Sequence, residues 1–515
     1  MNAQHDLTKT WAALDLGSNS FHLLLARPVG ASFVVEERLK EKVQLVGGFS
    51  EGRMQADAQA RGLACLARFA QRLKSIESEK IIVMGTCAFR EATNVESFTS
   101  AARDILPVPI EVISGDYEAE LIYCAVAHYA NATDEHRLVL DIGGGSTEFA
   151  LGSGANTVAT LSVNMGCVAW KDQFFTESHL QGTDYWRAKQ SAADVINNEI
   201  DQIRGALEIS RQATTPLQIY GTSGTIESIH TVLNANGWSR GAITREAMVQ
   251  LENAIAEDGW VLEAGLPGLA PDRADIFPAG VAILSACFDA LDIDELEYVD
   301  VSLLQGIICD KVLGTKELGS VVVDLKEDSV AQLTERFAVE RTQAARVANC
   351  AAVLYAASGD WWQGDTECAD LLRWAAQLHE LGVHISARHY HRHGAYIVKH
   401  AELAGFSQHQ QSVLALLIRG HRRSMPGLSF RAFDPELETK LLKLVALLRL
   451  AVILQRSHSD EGAPKVSLSV TDEQLTLDCG VGWLAANQLS YKELQVERRQ
   501  QATAGLELHL LNTPK

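Results

Sequence analysis

Several things are scarce in this 515-residue chain. Proline is one: 11 residues exclude a proline-rich scaffold or a collagen-like repeat. The nine cysteines are scattered from Cys65 to Cys479 with no C-x-x-C pair. Neither a zinc ribbon nor a disulfide framework is expected, and reduced thiols suit a cytoplasmic protein. Positive charge is short as well, with 45 Lys and Arg against 65 Asp and Glu and a net charge of −20. That balance argues against a net-basic nucleic-acid binder, so any polyanionic substrate must be met by a local positive patch. Long apolar runs are missing. The most apolar stretch, LLKLVALLRLAVIL at 441–454, is broken by Lys443 and Arg449. It is too short to span a bilayer and reads as a buried helix, so no integral membrane segment is expected. The opening MNAQHDLTKTWAALDLG has no basic leader followed by an apolar stretch, so no secretory signal is expected either.

The rest of the composition is that of a globular protein, with 47% hydrophobic and 21% charged residues. Single cores stop growing at roughly 250–300 residues, so several domains are expected. In the first part, short apolar runs alternate with helical stretches. WAALDL (11–16) and FHLLLA (21–26) flank a small polar turn and read as a hairpin. IIVMGT (81–86) and IEVIS (110–114) read as buried strands, and AQARGLACLARFAQRLKSI (58–76) as an amphipathic helix. From Ser329 long helical patterns dominate, opened by a capping-box spacing from Ser329 to Gln332. LGTKELGSVVVDLKEDS (313–329) is the expected linker, and alternation returns at VSLSV (466–470) and QLTLD (474–478). Four domains follow: 1–128, 129–312, an all-α domain at 313–460, and a small β-containing piece at 461–515.

An internal repeat carries the most information. AALDLGSNSFHLLLA (12–26) and LVLDIGGGSTEFALG (138–152) share one pattern: strand, Asp, apolar, Gly, small residues, Ser, second strand. The aspartates are Asp15 and Asp141, about one small domain apart. Gly- and Ser-rich turns turn several backbone N–H groups toward one point, and a missing Cβ lets a phosphate approach. Gly17, Ser18, Asn19 and Ser20 form one such turn; Gly143, Gly144, Gly145, Ser146 and Thr147 form a second. A third is GTSGT, with Gly221, Ser223, Gly224 and Thr225. One glycine-rich turn is usually a hairpin loop. Three, two of them copies with Asp in the same place, favour phosphate binding.

Phosphate chemistry also needs carboxylates to hold a metal and orient water. Asp15 and Asp141 end strands beside the turns, and Glu148 lies on the outgoing strand, where a solvated face is the ordinary alternative. Asp116, Glu118 and Glu120 in ISGDYEAELIY could serve a site or simply favour a helix dipole. Arg90 in TCAFREA could fork onto a phosphate or pair with Glu91 or another neighbour.

Six motifs occur in order: D-x-G-S-N-S at 15–20, T-x-x-x-R-x-A at 86–92, I-S-G-x-x-E-A at 113–119, D-I-G-G-G-S-T-E at 141–148, M-G-C-V at 165–168 and G-T-S-G-T at 221–225. Together they resemble the exopolyphosphatase/guanosine pentaphosphate phosphatase (Ppx/GppA) family over nearly the whole chain. The resemblance implies an α/β fold of the actin/Hsp70/sugar-kinase type: two ribonuclease-H-like lobes, then an HD-like helical domain and a small C-terminal domain. It implies Mg²⁺-dependent release of terminal phosphate from linear polyphosphate, or from pppGpp in the stringent response, by a cytoplasmic homodimer. Glu118 would be the base acting on water, and Asp15, Asp141 and Glu148 the metal ligands or assistants. Arg90 would clamp a phosphate, and the turns would cradle the transferred group.

Polyphosphate ranks first, narrowly, on H-R-H-x-A-Y at 391–396, whereas M-G-C-V-A-W at 165–170 has the flavour of a pentaphosphatase. An alarmone-binding regulator or a kinase of the superfamily ranks lower, since no acceptor motif is present. Half of the 16 histidines fall between His379 and His421, and Arg392, His393, Arg422 and Arg423 offer a polyphosphate track there. The alternative is a set of unliganded helix-surface residues. HD chemistry itself is not expected. No histidine occurs between His230 and His379, the central pair is His379-Glu380, and Val452 stands where an Asp belongs. Leu304 occupies an arginine position of the family's L-R-x-G pattern.

Overall fold

A computed structural model describes residues 10–514 except 30–31, 51, 131–135, 177–181, 214–216, 258–265, 315–324, 363–365, 402, 404, 407, 426–432, 434, 460, 462–463 and 472. The chain forms two compact units, 1–325 and 326–515.

The first unit contains two sheets built on one plan. In the first, β1 (Trp11–Leu16), β2 (Ser20–Val29) and β3 (Ser32–Lys42) form an antiparallel meander. β4 (Ile81–Gly85) and β5 (Glu111–Val112) add in parallel, giving the order β3-β2-β1-β4-β5. In the second, β6 (His136–Ile142), β7 (Thr147–Ser153) and β8 (Asn156–Val163) repeat the meander. β9 (Leu217–Thr222), β10 (Ile243–Thr244) and β11 (Glu295–Tyr298) complete the order β8-β7-β6-β9-β11-β10. A three-stranded meander followed by two parallel strands, twice over, with β10 added antiparallel at the edge of the second sheet, is the duplicated ribonuclease-H-like architecture of the actin/Hsp70/sugar-kinase fold. The hairpins at 11–26 and 138–152 are both present. The expected strand at 110–114 shrinks to two exposed residues at the sheet edge, beside Pro107 and Pro109, which lack the ladder N–H.

The helix read at 58–76 spans α1 (Ala56–Leu73) and buries Cys65, Leu66, Phe69 and Leu73 on one face. α2 (Cys87–Glu91) follows β4. Two further helices, α3 (Gly115–Ala130) and α7 (Leu303–Lys311), lie between the sheets. Each packs against the opposite lobe: α3 against β7 and β8, α7 against β1 and β2. They approach closely because Gly306 has no side chain; a Cβ there would lie 2.0 Å from the Leu121 carbonyl oxygen. Ala13, Leu24, Met84, Val139, Ala150 and Ile307 share the resulting core, so the lobes are joined by an apolar layer rather than a hinge alone. The remaining helices that matter for the site are α4 (Cys167–Phe174), α5 (Ser223–Ala235) and α6 (Phe277–Leu291).

In the second unit α8 (Leu325–Arg336) begins four residues before Ser329, so the Ser329–Gln332 spacing lies inside a helix and is no N-terminal box. Val330 and Leu333 are buried in the core of this unit, and that packing sets where the helix runs. Most of the expected linker, 315–324, lies outside the described residues. α9 (Arg341–Ala357), α10 (Thr366–Leu378), α11 (Tyr390–His400), α12 (Gln408–Gly420) and α13 (Pro435–Leu454) follow. The apolar run 441–454 is a buried helix: Leu441, Leu444, Leu447, Leu448 and Leu450 are fully buried. Among the described residues no helix is long and apolar enough to cross a membrane. A sheet of β12 (Ser467–Val470), β13 (Gln474–Asp478) and β14 (Glu507–Leu510), with α14 (Gln488–Ala502), shares one core with these helices through Leu475, Leu477, Leu494 and Leu508.

Candidate active site

The two glycine bends meet. Each is closed by one backbone bond: Gly17 N–H donates to the Ser20 carbonyl at 3.2 Å, and Gly143 N–H to the Ser146 carbonyl at 2.9 Å. Neither Gly17 nor Gly143, Gly144 and Gly145 has a positive φ, so glycine is required by crowding and not by backbone conformation. A Cβ on Gly144 would lie 3.2 Å from the Asn19 Cβ, and one on Gly145 only 2.8 Å from both Ser18 Oγ and Cys87 Sγ. The M-G-C-V motif holds the second bend from behind. Cys167 N–H donates to the Gly143 carbonyl at 2.9 Å, and Val168 N–H to the Gly144 carbonyl at 2.9 Å. Gly166 is obligatory there, because a Cβ would fall 2.4 Å from the Gly144 carbonyl carbon.

Between the bends opens a cleft of about 190 Å³. The first bend lines it with Gly17, Ser18, Asn19 and Ser20, the second with Gly143, Gly144, Gly145 and Ser146. Ser223, Gly224 and Thr225 line it from the start of α5. Ser223 has φ +84°, strained for a non-glycine residue, and its Oγ accepts the Thr225 N–H at 3.3 Å. Thr147 and Gly221 do not line the cleft. Thr147 Oγ1 donates to the Met165 carbonyl. Gly221 is a packing glycine, since a Cβ would lie 2.5 Å from Leu296 Cδ2.

Three carboxylates, Asp15, Glu118 and Asp141, line the same cleft. Burial is the main cause that raises the pKa of each. Asp15 is pushed well above the usual range, with Glu118 and Asp141 adding repulsion. Asp141 is raised to about 6, although Thr222 Oγ1 donates to its Oδ2. Glu118 is raised to about 7 by burial; Arg90 opposes the rise and Asp141 reinforces it. Helix α3 explains the position: Asp116 and Glu118 both sit in its first turn, yet only Glu118 turns inward. Glu148 is 2% exposed and lies behind the cleft, its Oε1 accepting Ser162 Oγ at 2.8 Å. Arg90, expected to clamp a phosphate, is also not a lining residue. Its Nη1 donates to Glu118 Oε2 at 2.7 Å and to the Ile113 carbonyl at 3.2 Å.

The donor set fits a hard divalent cation. It is all oxygen, and Asp15 Oδ1 is buried with no hydrogen-bond partner. Among the described residues no three His, Cys, Asp or Glu side chains form a ready-made metal cage. Mg²⁺ typically uses one or two carboxylates and takes its other ligands from water and substrate phosphate, so such a cage is not required.

His22, Lys40, Cys87 and Arg273 line the cleft without having been singled out in the sequence, and Thr86 and Cys167 line it from inside two of the six motifs, where no role was read for them. His22 and Lys40 had a signal, because strand pairing places Asp15, His22 and Lys40 in one cross-strand row. Arg273 had none; it is far in sequence from every motif. Leu304, in the family's arginine position, lines the cleft as well.

The second unit has its own basic cluster. Arg392 is exposed on α11, His393 is half-buried beside it, and Arg422 stacks over Tyr390 at 4.3 Å. Arg423 has φ +68°, and its carbonyl accepts Arg449 Nη2 at 2.9 Å. His391 is pushed down to about 4 by burial and then by Arg419, Arg422, Arg392 and Arg423. His379 Nδ1 lies 2.7 Å from the Ala376 carbonyl, a capping contact.

Comparison with known proteins adds the following. The Ppx/GppA phosphatase family pattern matches residues 26–315, and that of Ppx/GppA phosphatase, domain III, matches 325–498. A guanosine-5′-triphosphate,3′-diphosphate pyrophosphatase of Photobacterium profundum is 33% identical over 509 residues, 98% of this chain and 99% of that protein. The crystal structure of an exopolyphosphatase from Cytophaga hutchinsonii matches with a TM-score of 0.52 at 22% identity, covering 59% of this chain and 98% of its own. An exopolyphosphatase-like protein matches with a TM-score of 0.51 at 22% identity, over 60% of this chain and all of its own.

Proposed function

Since this chain belongs to the Ppx/GppA phosphatase family and is a phosphoanhydride hydrolase, we propose that its substrate is guanosine 5′-triphosphate 3′-diphosphate (pppGpp), cleaved to ppGpp and inorganic phosphate. The likeness to the Photobacterium enzyme over almost the full length supports this substrate and moves polyphosphate to second place. One observation carries the chemistry: both bends and three carboxylates line one cleft.

Backbone N–H groups of the two bends hold the terminal phosphoryl oxygens, and Ser18 and Asn19 add side-chain donors. Asp15 and Asp141 would hold Mg²⁺, with Glu148 behind them; when bound, the ion neutralises phosphate charge. Glu118 orients a water molecule on the terminal phosphorus. As the new P–O bond forms and the bridging P–O bond breaks, Glu118 takes the proton of the water and the diphosphate end leaves with the electron pair. A carboxyl near 7 is matched to that task at neutral pH. Arg90 is the positioning residue that fixes Glu118 and keeps its charged form accessible. A cytoplasmic homodimer acting in the stringent response belongs to the same proposal; light scattering of the purified protein tests the dimer.

Phosphate release from pppGpp, long-chain polyphosphate and ADP, measured with Mg²⁺, tests the substrate. The proposal predicts the highest kcat/KM for pppGpp; a higher value for polyphosphate overturns it. Polyphosphate is kept as the second reading for a specific reason. Arg392, Arg419, Arg422 and Arg423 all bear on His391 in the second unit, a local concentration of positive charge in a chain of net charge −20.

A further inference from the structure

The two bends share a device that the chemistry above does not account for. In each, carbonyl oxygens are tied to N–H groups of a separate segment. At the second bend Cys167 and Val168 donate to the Gly143 and Gly144 carbonyls. At the first, Leu45 N–H donates to the Ser18 carbonyl at 2.9 Å, and Val43 and Gln44 N–H donate to the Asn19 carbonyl at 2.9 and 2.8 Å. A trans peptide plane sets its C=O and the following N–H in opposite directions. Among the described residues every peptide is trans. Tying back the Ser18 and Asn19 oxygens therefore directs the Asn19 and Ser20 N–H groups the other way, as the second support does for Gly144 and Gly145. A bend whose carbonyls swung free could present oxygen to an anion in place of N–H.

The two supports differ in what holds them. The second is the start of α4, a regular helix. The first is three residues of irregular chain just beyond β3, and it is strained: Gln44 has φ +54°, a left-handed conformation that favours glycine. Val43 and Leu45 are buried in the core of the first lobe, whereas Gln44 is exposed, so packing grips the segment on either side of the strained residue. At the strained residue the grip comes from Arg61 of α1. Its Nε donates to the Val43 carbonyl at 2.9 Å and its Nη2 to the Gln44 carbonyl at 2.9 Å. Nη1 meets Asp57 Oδ2 at 2.6 Å, one turn back on α1. A planar guanidinium spans two adjacent carbonyls in a fixed fork, which an ammonium cannot copy. Gly48 lets α1 come this close: a Cβ there would lie 2.5 Å from the Ala58 Cβ and 3.3 Å from Arg61 Nη2. Arg61 itself does not line the cleft.

We propose that residues 43–45, pegged by Arg61, are the first lobe's counterpart of the M-G-C-V support, and that Arg61 is a positioning residue for the terminal phosphate. It acts at one remove. The guanidinium fixes the 43–45 carbonyls, and the N–H groups of the same residues fix the bend. This deepens the proposed function and rests on its placing of the terminal phosphate at the bends.

The test is calorimetry of inorganic tripolyphosphate with Mg²⁺ on the full chain carrying Glu118→Gln, so that nothing is hydrolysed. Adding Arg61→Met is expected to weaken binding about tenfold, part of the roughly hundredfold that a 1 Å misplacement costs. Gln44→Gly placed on Arg61→Met brings binding back to within about threefold of the parent, because glycine keeps a left-handed φ without a peg. Arg68→Met is the control. Arg68 also ties α1 to the first sheet, its Nε donating to Glu41 of β3 at 2.9 Å, and its loss removes the same charge. It leaves binding unchanged. In otherwise unaltered enzyme Arg61→Met raises KM for pppGpp more than it lowers kcat. Equal weakening by Arg61→Met and Arg68→Met, no recovery with Gln44→Gly, or full-strength binding in Arg61→Met overturns the peg. Where Arg61→Met does not fold, Arg61→Lys is read instead: weakened binding supports the peg, and full-strength binding overturns it. A parent protein that fails to bind tripolyphosphate, or unaltered enzyme that releases phosphate from neither pppGpp nor polyphosphate, overturns the proposed function instead.

Discussion

The two hairpins of the first unit are copies whose second strands have gone different ways. In one, Asp15 pairs with His22 and then Lys40; in the other, Asp141 pairs with Glu148 and then Ser162. The first row ends in an exposed cation on the cleft wall. The second ends behind the cleft, where a buried Glu148 and Ser162 face the start of α3; a Cβ on Gly115 would lie 2.3 Å from Ser162 Cβ. Duplication supplied two equal bends. Divergence one strand away put a cation on the cleft wall in the first row and a buried carboxyl behind the cleft in the second, while Glu118 itself answers first to burial, then to Arg90, and then to Asp141.

The comparison breaks most severely at the residue both rows serve. Glu118→Gln should lower kcat about 10³-fold while KM changes little, the usual scale for a lost general base; a loss under tenfold in steady-state assays would remove Glu118 from the base role. Crowding between the copies comes next. Gly145→Ala pushes a methyl into Ser18 and Cys87. It should lower the melting temperature by several degrees and kcat/KM by roughly 10²-fold, since active-site misplacement of about 1 Å costs that much.

Arg90→Met sharpens the acid side. Arg90 lowers the Glu118 pKa, so removing it raises that pKa further. Glu118 must be ionised to act as base, so the acidic limb of the kcat/KM profile should move to higher pH by about one unit, with Arg90→Lys giving partial recovery. An unmoved limb rejects the coupling.

The smallest effect is on stability. Glu118 and Asp141, at about 7 and about 6, bind protons in the folded state that the unfolded chain has already released. Their own contribution to stability without metal is therefore fully present below the unfolded carboxyl values and is lost as pH rises through about 6 to 7. Between pH 5 and 8 in chelator, the melting temperature of the unaltered protein minus that of Glu118→Gln should decline by a few degrees, and Mg²⁺ should flatten the decline.

Much of this was legible in sequence because it rests on repetition and local pattern. The bends with Asp15 and Asp141, the strand pairs around them, the helix at 58–76 and the buried helix at 441–454 follow from periodicity and turn chemistry. What escaped depends on tertiary approach. Arg273 reaches the cleft only through the absence of a side chain at Gly224. The pairing of Arg90 with Glu118 joins residues of two helices, where sequence offered Glu91 as one partner. Helix α8 begins ahead of its expected cap because Val330 and Leu333 are drawn into a core. The distinction between pppGpp and polyphosphate was the least legible, since both present the same terminal phosphoanhydride to the same bends.

A crystal structure of the Glu118→Gln enzyme with Mg²⁺ and tripolyphosphate tests the account most directly. The terminal phosphate is predicted between Ser18–Asn19 and Gly144–Gly145, within hydrogen-bond reach of both bends. A terminal phosphate bound by one bend alone, or outside the cleft, would contradict it.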